Sequence, residues 1–400
     1  MIIISVIGCL LLIYLSYCGV LPFILAIAGK LQNHKQNIIV SKQRKILVLI
    51  PAYKEDSVIV ETALQSLNQE YPQNLYDVVI IADSLAKNTI ETLLSLNINV
   101  QRVSFEKSTK VKALNLALQK WVDPSYEGVV ILDADNIMHH QFLANINVGL
   151  ENEMYAIQGQ RKAKNADTSM AFLDGASEDI NNHIYCKGAY NLGLSSRLSG
   201  SGMAFSPLVL KNALKKSVAV GGFDKELELE LTSKGIRIHY LEEAIIYDEK
   251  VRHKQAFSSQ RTRWIQAQYQ YLGYHLRHRV WDGIKALNVD YIYKVSILAL
   301  PPRLLLPIIF FCSSVSWSLL TGLNNISRLL WILLILNITS FIVAIPKLYF
   351  RKKDLVKWLG LFSAVFQTLK ALTNLSKART SFLHTAHSTM ASNMSKKKIS

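Results

Sequence analysis

Met1 to Ala28 carries no charged residue, and this run limits the fold more than any other feature. A bilayer core takes about 20 apolar residues in a helix. A cleaved signal peptide would have a basic start and a shorter apolar core. Neither is present, so a retained transmembrane anchor is expected over 1–29. Lys30, Lys35, Lys42, Arg44 and Lys45 follow it, and the positive-inside rule places such a flank in the cytoplasm. Two further uncharged runs, 304–327 and 329–346, read as a hairpin of helices within 296–347, its short outer loop at 321–327. Lys347, Arg351, Lys352 and Lys353 form a second inner flank. The apolar stretch 358–369 is too short to cross, so 348–400 is expected to hold an interfacial or re-entrant helix and, from about 377, a mobile tail.

The composition agrees with a multi-pass protein of the cell membrane. Half of the residues are hydrophobic and 18% are charged, yet the net charge is +16. Much of that charge flanks the apolar runs, so membrane lipids with anionic headgroups, not nucleic acid, are the expected partner. Basic and aromatic residues do not interleave along the polar centre, as a nucleic-acid face would require. The four cysteines, Cys9, Cys18, Cys186 and Cys312, form no paired spacing, which points to no disulfide framework and no zinc site.

Between about 45 and 290 the pattern changes. ILVLIPAY, DVVIIADS and EGVVILDADN are short β-branched runs, each ending in polar or turn-forming residues. SVIVETALQSLNQ, with Val58, Ala63, Leu64 and Leu67 near one face, reads as a helix between the first two. VKALNLALQKW reads as a helix before the third. Strand–helix–strand alternation implies a parallel sheet covered by helices, and such sheets bind ligands beyond the carboxyl ends of their strands. The polar residues that end the strands are therefore the candidates for chemistry.

Asp133-Ala134-Asp135 ends the third run. Two carboxylates two residues apart at a strand end can approach one hard cation, Mg²⁺ or Mn²⁺, shared with substrate phosphates. The cation would neutralise a departing diphosphate. Other features stand in a fixed order around this pair. Pro51-Ala52-Tyr53-Lys54-Glu55-Asp56 and Asp83-Ser84 end the first two strands, and Lys110 precedes Ala113-Leu114-Asn115. Gly200-Ser201-Gly202-Met203, Asp224 and Gln260-Arg261-Thr262-Arg263-Trp264 follow.

This ordered set resembles the family 2 glycosyltransferases of GT-A fold. It is most similar to their membrane-integrated branch of cellulose, hyaluronan, chitin and poly-N-acetylglucosamine synthases and ceramide glucosyltransferases. The resemblance covers roughly 46–268 and implies a cytoplasmic GT-A domain at 45–250. A Gln-x-x-Arg-Trp segment with interfacial helices would occupy 251–295. It also implies inverting transfer from a UDP-sugar donor to a hydroxyl of a surface polysaccharide or glycolipid. Pro51, Tyr53, Glu55 and Asp83 would contact base and ribose, and Lys110 the uridine or diphosphate. Asp133 would face the nucleotide and share the metal held by Asp135, while Gly202 would lie on the acceptor path.

The general base is expected within GGFDKELELELTSKG. Family members carry Glu-Asp before a helix of the form xxLxxxLxxxG; counting back from Gly235 selects Asp224, with Phe223 in place of the acidic partner. Glu226, Glu228 and Glu230 are the alternatives, and Asp224 could instead cap the helix. Some base is required, because an acceptor hydroxyl attacks poorly until a carboxylate takes its proton. Arg263 offers a planar fork to phosphate, Gln260 shares its helical face, and Trp264 offers a flat floor to a sugar ring. By residue type alone the same segment reads as an amphipathic interfacial helix. His139-His140 reads as a solvated helix start. His253 is a weaker diphosphate contact, and Asn325-Ile326-Ser327 lies too near the membrane surface to serve as a glycosylation site. Two trailing spans make a thin channel unless a synthase partner subunit or a homo-oligomer completes it. Single-sugar transfer to a lipid, and a non-catalytic membrane subunit, are the competing readings.

Overall fold

The computed structural model describes residues 2–31, 42–215, 217 and 221–375. Lys35 and the tail from about 377 lie outside them. An eight-stranded mixed sheet forms the centre. Its strands are β1 (Ile46–Tyr53), β2 (Tyr76–Asp83), β3 (Asn99–Val103), β4 (Gly128–Ile131), β5 (Ile137–Met138), β6 (Ala156–Ala163), β7 (Met203–Phe205) and β8 (His239–Asp248), in the order β3-β2-β1-β4-β7-β6-β8-β5. β3, β2, β1 and β4 run parallel, as strand–helix–strand alternation predicts. The other half departs from that expectation: β7 is antiparallel to both β4 and β6, and β5 is antiparallel to β8.

β1 shows how the sequence builds this sheet. Ile46, Val48, Ile50 and Ala52 enter the core on one face, while Leu47 and Leu49 enter the core on the other. All six are fully buried. A strand buried on both faces reads as an unbroken apolar run because neither side meets water. Each such side chain contributes about 1.5–3 kcal/mol by leaving water. The helix Ile59–Ser66 behaves differently from its expected face: Ile59, Thr62, Ala63 and Ser66 are buried, and Leu64 and Leu67 are exposed. Its buried stripe is set by the small residues that fit against the sheet.

The helix Ile2–Ala28 packs along Asn325–Ala344, which forms a hairpin with Leu306–Thr321 through a turn of only Gly322–Asn324. Asn324 closes the turn by accepting from the backbone N–H groups of Ile326 and Ser327, both at 3.0 Å. The apolar helix pack is joined to the sheet domain. His183 Nε2 lies 2.9 Å from Ala26 O, and Asn191 donates to the carbonyls of Ala28 and Leu31, both at 2.9 Å. Four segments are long and apolar enough to cross a bilayer: Val6–Ala28, Arg303–Thr321, Asn325–Ala344 and Lys352–Thr373. The fourth corrects the expected length of the last helix. A 3₁₀ stretch, Lys352–Leu359, runs directly into the α-helix Gly360–Thr373 and lengthens it at its start.

Candidate active site

The carboxyl ends of β1, β2 and β4 meet at one edge of the sheet. Tyr53 and Asp83 stand opposite each other in register, and the Lys54 N–H donates to Asp83 O at 3.2 Å. Both strands then turn through left-handed residues, Lys54 (φ 55) and Ser84 (φ 59). Non-glycine residues adopt that region at a cost, most often at functional turns. The Asp83 carboxylate is buried and accepts from Ser84 Oγ at 3.1 Å. Pro51 and Glu55 flank it, both half-buried.

Asp133 lies just beyond β4. Its N–H donates to Ser201 Oγ at 2.9 Å, and its carboxylate accepts from Lys110 Nζ. The same ammonium donates to Gly200 O at 2.8 Å and sits 4.8 Å from the centre of the Phe223 ring. Lys110 thus ties the carboxylate pair to the glycine loop and to the helix Phe223–Ser233. A methyl built on Gly200 would lie 3.8 Å from Phe223 Cε1 and 4.0 Å from Asp224 Cβ. Four segments that are far apart in the chain converge here. Gly202 bends the loop at φ +62, and Gln158 on β6 holds it by accepting from Ser199 N at 2.9 Å and donating to Ser201 O at 3.1 Å.

Phe223 occupies the position of the acidic partner and turns its ring face to Lys110. An aromatic face attracts a cation without adding a formal charge. Asp224 does not cap its helix. Gly222 holds that position at φ 65, and Asp224 falls in the first turn, where a carboxylate suits the positive end of the helix dipole. Lys225 Nζ lies 3.9 Å from Asp224 Oδ2. The alternative bases are more firmly engaged. Glu226 accepts from Ser217 Oγ, Glu228 pairs with buried Lys294 at 2.6 Å, and Glu230 pairs with Lys234 at 2.8 Å and Arg279 at 2.9 Å.

Asp135 is buried, and Asn136 Nδ2 bridges its carboxylate (3.1 Å) to that of Asp248 (3.2 Å). Beneath the pair runs a charge network with no sequence signature. Arg161 on β6 pairs with Asp248; Lys250 lies 2.7 Å from Asp248 and 3.6 Å from Glu178. Burial alone would raise the Asp248 carboxyl, but Arg161 and Lys250 hold it well below the usual range. Only the lone charges at the ends of β6 and β8 could have suggested this network from sequence.

Among the described residues no group of three or more His, Cys, Asp or Glu side chains could hold a metal ion. Asp133 and Asp135 are two carboxylates only, a donor set that would suit a hard cation taking its remaining oxygens from substrate phosphates and water; Lys110 and Asn136 engage them in this structure. His139 and His140 stand apart from that role. Their ring centres lie 3.9 Å apart with the planes tilted by 38°, His140 lies 3.2 Å from Glu70, and burial and His140 lower the basicity of His139.

Gln260, Arg263 and Trp264 ride on the long helix Lys254–His278. Burial lowers the basicity of Arg263, and Gln260 Oε1 is buried with no hydrogen-bond partner among the described residues. One turn after Arg263, Ala267 packs beside Gly222: a Cβ on that glycine would come within 2.6 Å of it. The helix therefore runs past the start of Phe223–Ser233. Trp264 faces another direction and carries the Arg261 guanidinium 4.7 Å from its ring centre. His253 is exposed at the N-cap and makes no side-chain cap.

Sheet order, glycine loop and strand-end carboxylates together define a GT-A-like α/β fold. Residues 43–267 match the family described as "Glycosyltransferase like family 2", and the chain belongs to that family. A curated relative, "Probable glycosyltransferase YdaM" of Bacillus subtilis (strain 168), is 21% identical over 235 residues. The match spans 55% of this chain and 54% of the relative, about half the length of each. The mannosyltransferase PcManGT from Pyrobaculum calidifontis, solved with GDP-Man and Mn²⁺, superposes with a TM-score of 0.55 at 16% identity, covering 90% of this chain and 97% of that one. TarS (1–349) of S. aureus gives a TM-score of 0.40 at 15% identity, covering 84% of this chain and 90% of the other.

Proposed function

We propose that the chain is an inverting, metal-dependent glycosyltransferase. It moves a sugar from a UDP-sugar to an acceptor hydroxyl at the cytoplasmic face of the cell membrane, on a growing surface polysaccharide or a glycolipid. The observation that carries this reading is the convergence of Asp133, Lys110, the Gly200–Gly202 loop and Asp224 at one end of the sheet. Asp83, Tyr53, Pro51 and Glu55 would hold base and ribose beside it. Asp135, with Asp133, would hold Mn²⁺ or Mg²⁺, which supplies Lewis-acid neutralisation of the diphosphate.

In the transfer, the bond between the anomeric carbon and the diphosphate oxygen breaks as the acceptor oxygen bonds to that carbon. The acceptor proton passes to Asp224, and UDP leaves. Lys110 and Arg263 lower the energy of the developing negative charge, because fixed cations in a water-poor site act strongly on it. Gln260 would stand beside Arg263, and Trp264, which lines the neighbouring cavity, would offer its ring to the acceptor. The helices Val6–Ala28, Arg303–Thr321 and Asn325–Ala344 anchor the enzyme, and Lys352–Thr373 lies along the membrane interface. A homo-oligomer or a partner subunit would complete any polymer channel.

The test is UDP release from a panel of UDP-sugars, with acceptor lipids, membrane extract and Mn²⁺ or Mg²⁺ supplied to the purified protein in nanodiscs. Release is expected with one donor, abolished by chelation and in Asp135→Ala. Release that survives both treatments would remove the metal role, and silence across the panel would remove the UDP-sugar reading.

A further inference from the structure

A cavity of about 180 Å³ lies between the sheet domain and the apolar helices, beside the helix face that carries Arg261 and Trp264. Its polar wall carries Arg197, Lys225, Arg261 and Arg303, and Glu228 is its one carboxylate. That carboxylate is already matched by Lys294 at 2.6 Å, and Arg261 by Asp174 at 2.7 Å. Among the described residues Arg303 donates only to neutral groups: Asn181 Oδ1 and Ser177 Oγ, both at 2.8 Å, and Ser177 O at 3.0 Å. Arg197 makes no side-chain hydrogen bond or ion pair among the described residues. Glu178 feels its charge but gives its own contact to Lys250 at 3.6 Å. Two guanidinium groups thus face one small space with no carboxylate in contact with either among the described residues, and Glu178 acts on both only at longer range.

Gathering cations away from water is costly unless an anion accompanies them. The cost is visible at Arg261, whose basicity falls through burial and the nearby Arg197 charge. Guanidinium forks suit phosphate oxygens in particular. The apolar part of the lining includes Leu298, Leu300, Pro301, Pro302 and Leu304, on either side of Arg303 in the chain, and this stretch runs into the helix Leu306–Thr321. A charged pocket beside a path of apolar chain fits an amphiphile, with its anion among the arginines and its tail along the helix. A neutral polysaccharide would leave the same arginines uncompensated.

We infer that this cavity binds the phosphate or diphosphate group of a lipid-linked acceptor. The inference rests on the transferase reading and narrows its acceptor class. Lys225 connects the two sites, since it lines the cavity and lies 3.9 Å from the Asp224 carboxylate. An acceptor anchored there holds its hydroxyl toward the base, and the cavity adds no bond-making step of its own.

Lipid retention tests the site without turnover. The full-length protein is incubated with phosphatidylcholine alone or mixed with phosphatidic acid, and the lipid retained is read by native mass spectrometry. Phosphatidic acid is expected to be retained selectively, and about tenfold more weakly in Arg197→Gln, the loss of one charge-assisted hydrogen-bonding group. Arg197→Lys is expected to recover part of that loss. Inorganic phosphate at equal concentration is expected not to displace the lipid. Displacement would mean that the cavity serves a free phosphate-bearing molecule and would overturn the lipid assignment. Equal retention of the two lipids, or unchanged retention in both Arg197→Gln and Arg303→Gln, would overturn the site altogether. Retention proceeds without a donor, so a silent UDP-sugar panel with selective retention sinks the transferase reading alone.

Discussion

Asp224 is distinguished from its neighbours by what its carboxylate lacks. Glu226, Glu228 and Glu230 are each bound to a hydroxyl or a cation at close range, whereas its nearest cation, Lys225, stands 3.9 Å away. A base must be reachable by the proton it removes. Asp224→Asn is therefore expected to lower kcat roughly 10²–10⁴-fold with little change in KM for the donor, while Glu226→Gln keeps most activity. Steady-state kinetics of UDP release would show this, and the reverse pattern would move the base to Glu226. The order of the motifs was readable in the sequence because each occupies a strand end or a helix start. The role of Phe223 was not. Its contact with Lys110 joins residues 113 positions apart, and nothing local announces it.

Among the elements, those that read clearly are the ones buried most evenly. β1, β2 and β4 are near-continuous apolar runs because helices cover both faces. β6 and β8 mix charge into their strands, and β7 has three residues, so neither alternation nor run length marks them. The antiparallel half of the sheet was hidden for that reason. The join between Phe223–Ser233 and Lys254–His278 was equally hidden, since it depends on one glycine. At Gly222 a side chain would meet both a left-handed φ of +65 and the Ala267 Cβ at 2.6 Å. Gly222→Ala is expected to destabilise the fold by about 1–3 kcal/mol and to slow turnover by displacing Asp224. An unchanged thermal midpoint would show that the helix pair can part freely.

The far end of the same long helix should make stability depend on pH. His275 is buried with Nδ1 2.7 Å from Tyr291 Oη, and burial and Arg279 lower its pKa to about 4. His239, half-buried near Arg237, is likewise held at about 4 by partial burial and that charge. An unfolded histidine titrates near 6.5, so on acidification the unfolded chain takes up the proton first. Stability is therefore full above about pH 6.5 and is lost progressively as pH falls toward about 4. A thermal midpoint that stays flat from about pH 7 to about pH 5 would contradict the lowered basicity of both rings. A shallower slope in His275→Gln would assign its share.

For the whole molecule, the question is which side of the membrane each segment meets. In the proposed orientation both basic flanks keep the sheet domain inside, and the turn at Gly322–Asn324 would then lie outside. The last helix is the informative one. Gly360–Thr373 has 14 residues, about 21 Å of helix against a core of about 30 Å, and the stretch before it carries Lys352, Lys353, Asp354 and Lys357. Lys357 donates to Ala166 O at 2.7 Å and the Trp358 ring stands edge-on to Phe172 at 5.7 Å, contacts that hold this stretch against the sheet domain. Ala364 and Ala371 are buried, while Phe362, Phe366 and Leu369 face outward. Such a helix would lie along the inner interface with its aromatic face in lipid. In a background lacking the native thiols, a membrane-impermeant maleimide added to intact cells should label Asn324→Cys but neither Thr373→Cys nor Asn165→Cys. Labelling at Thr373→Cys would mean that the last helix crosses, giving four spans. Labelling at Asn165→Cys would invert the protein and deny the proposed active site its cytoplasmic nucleotide sugar.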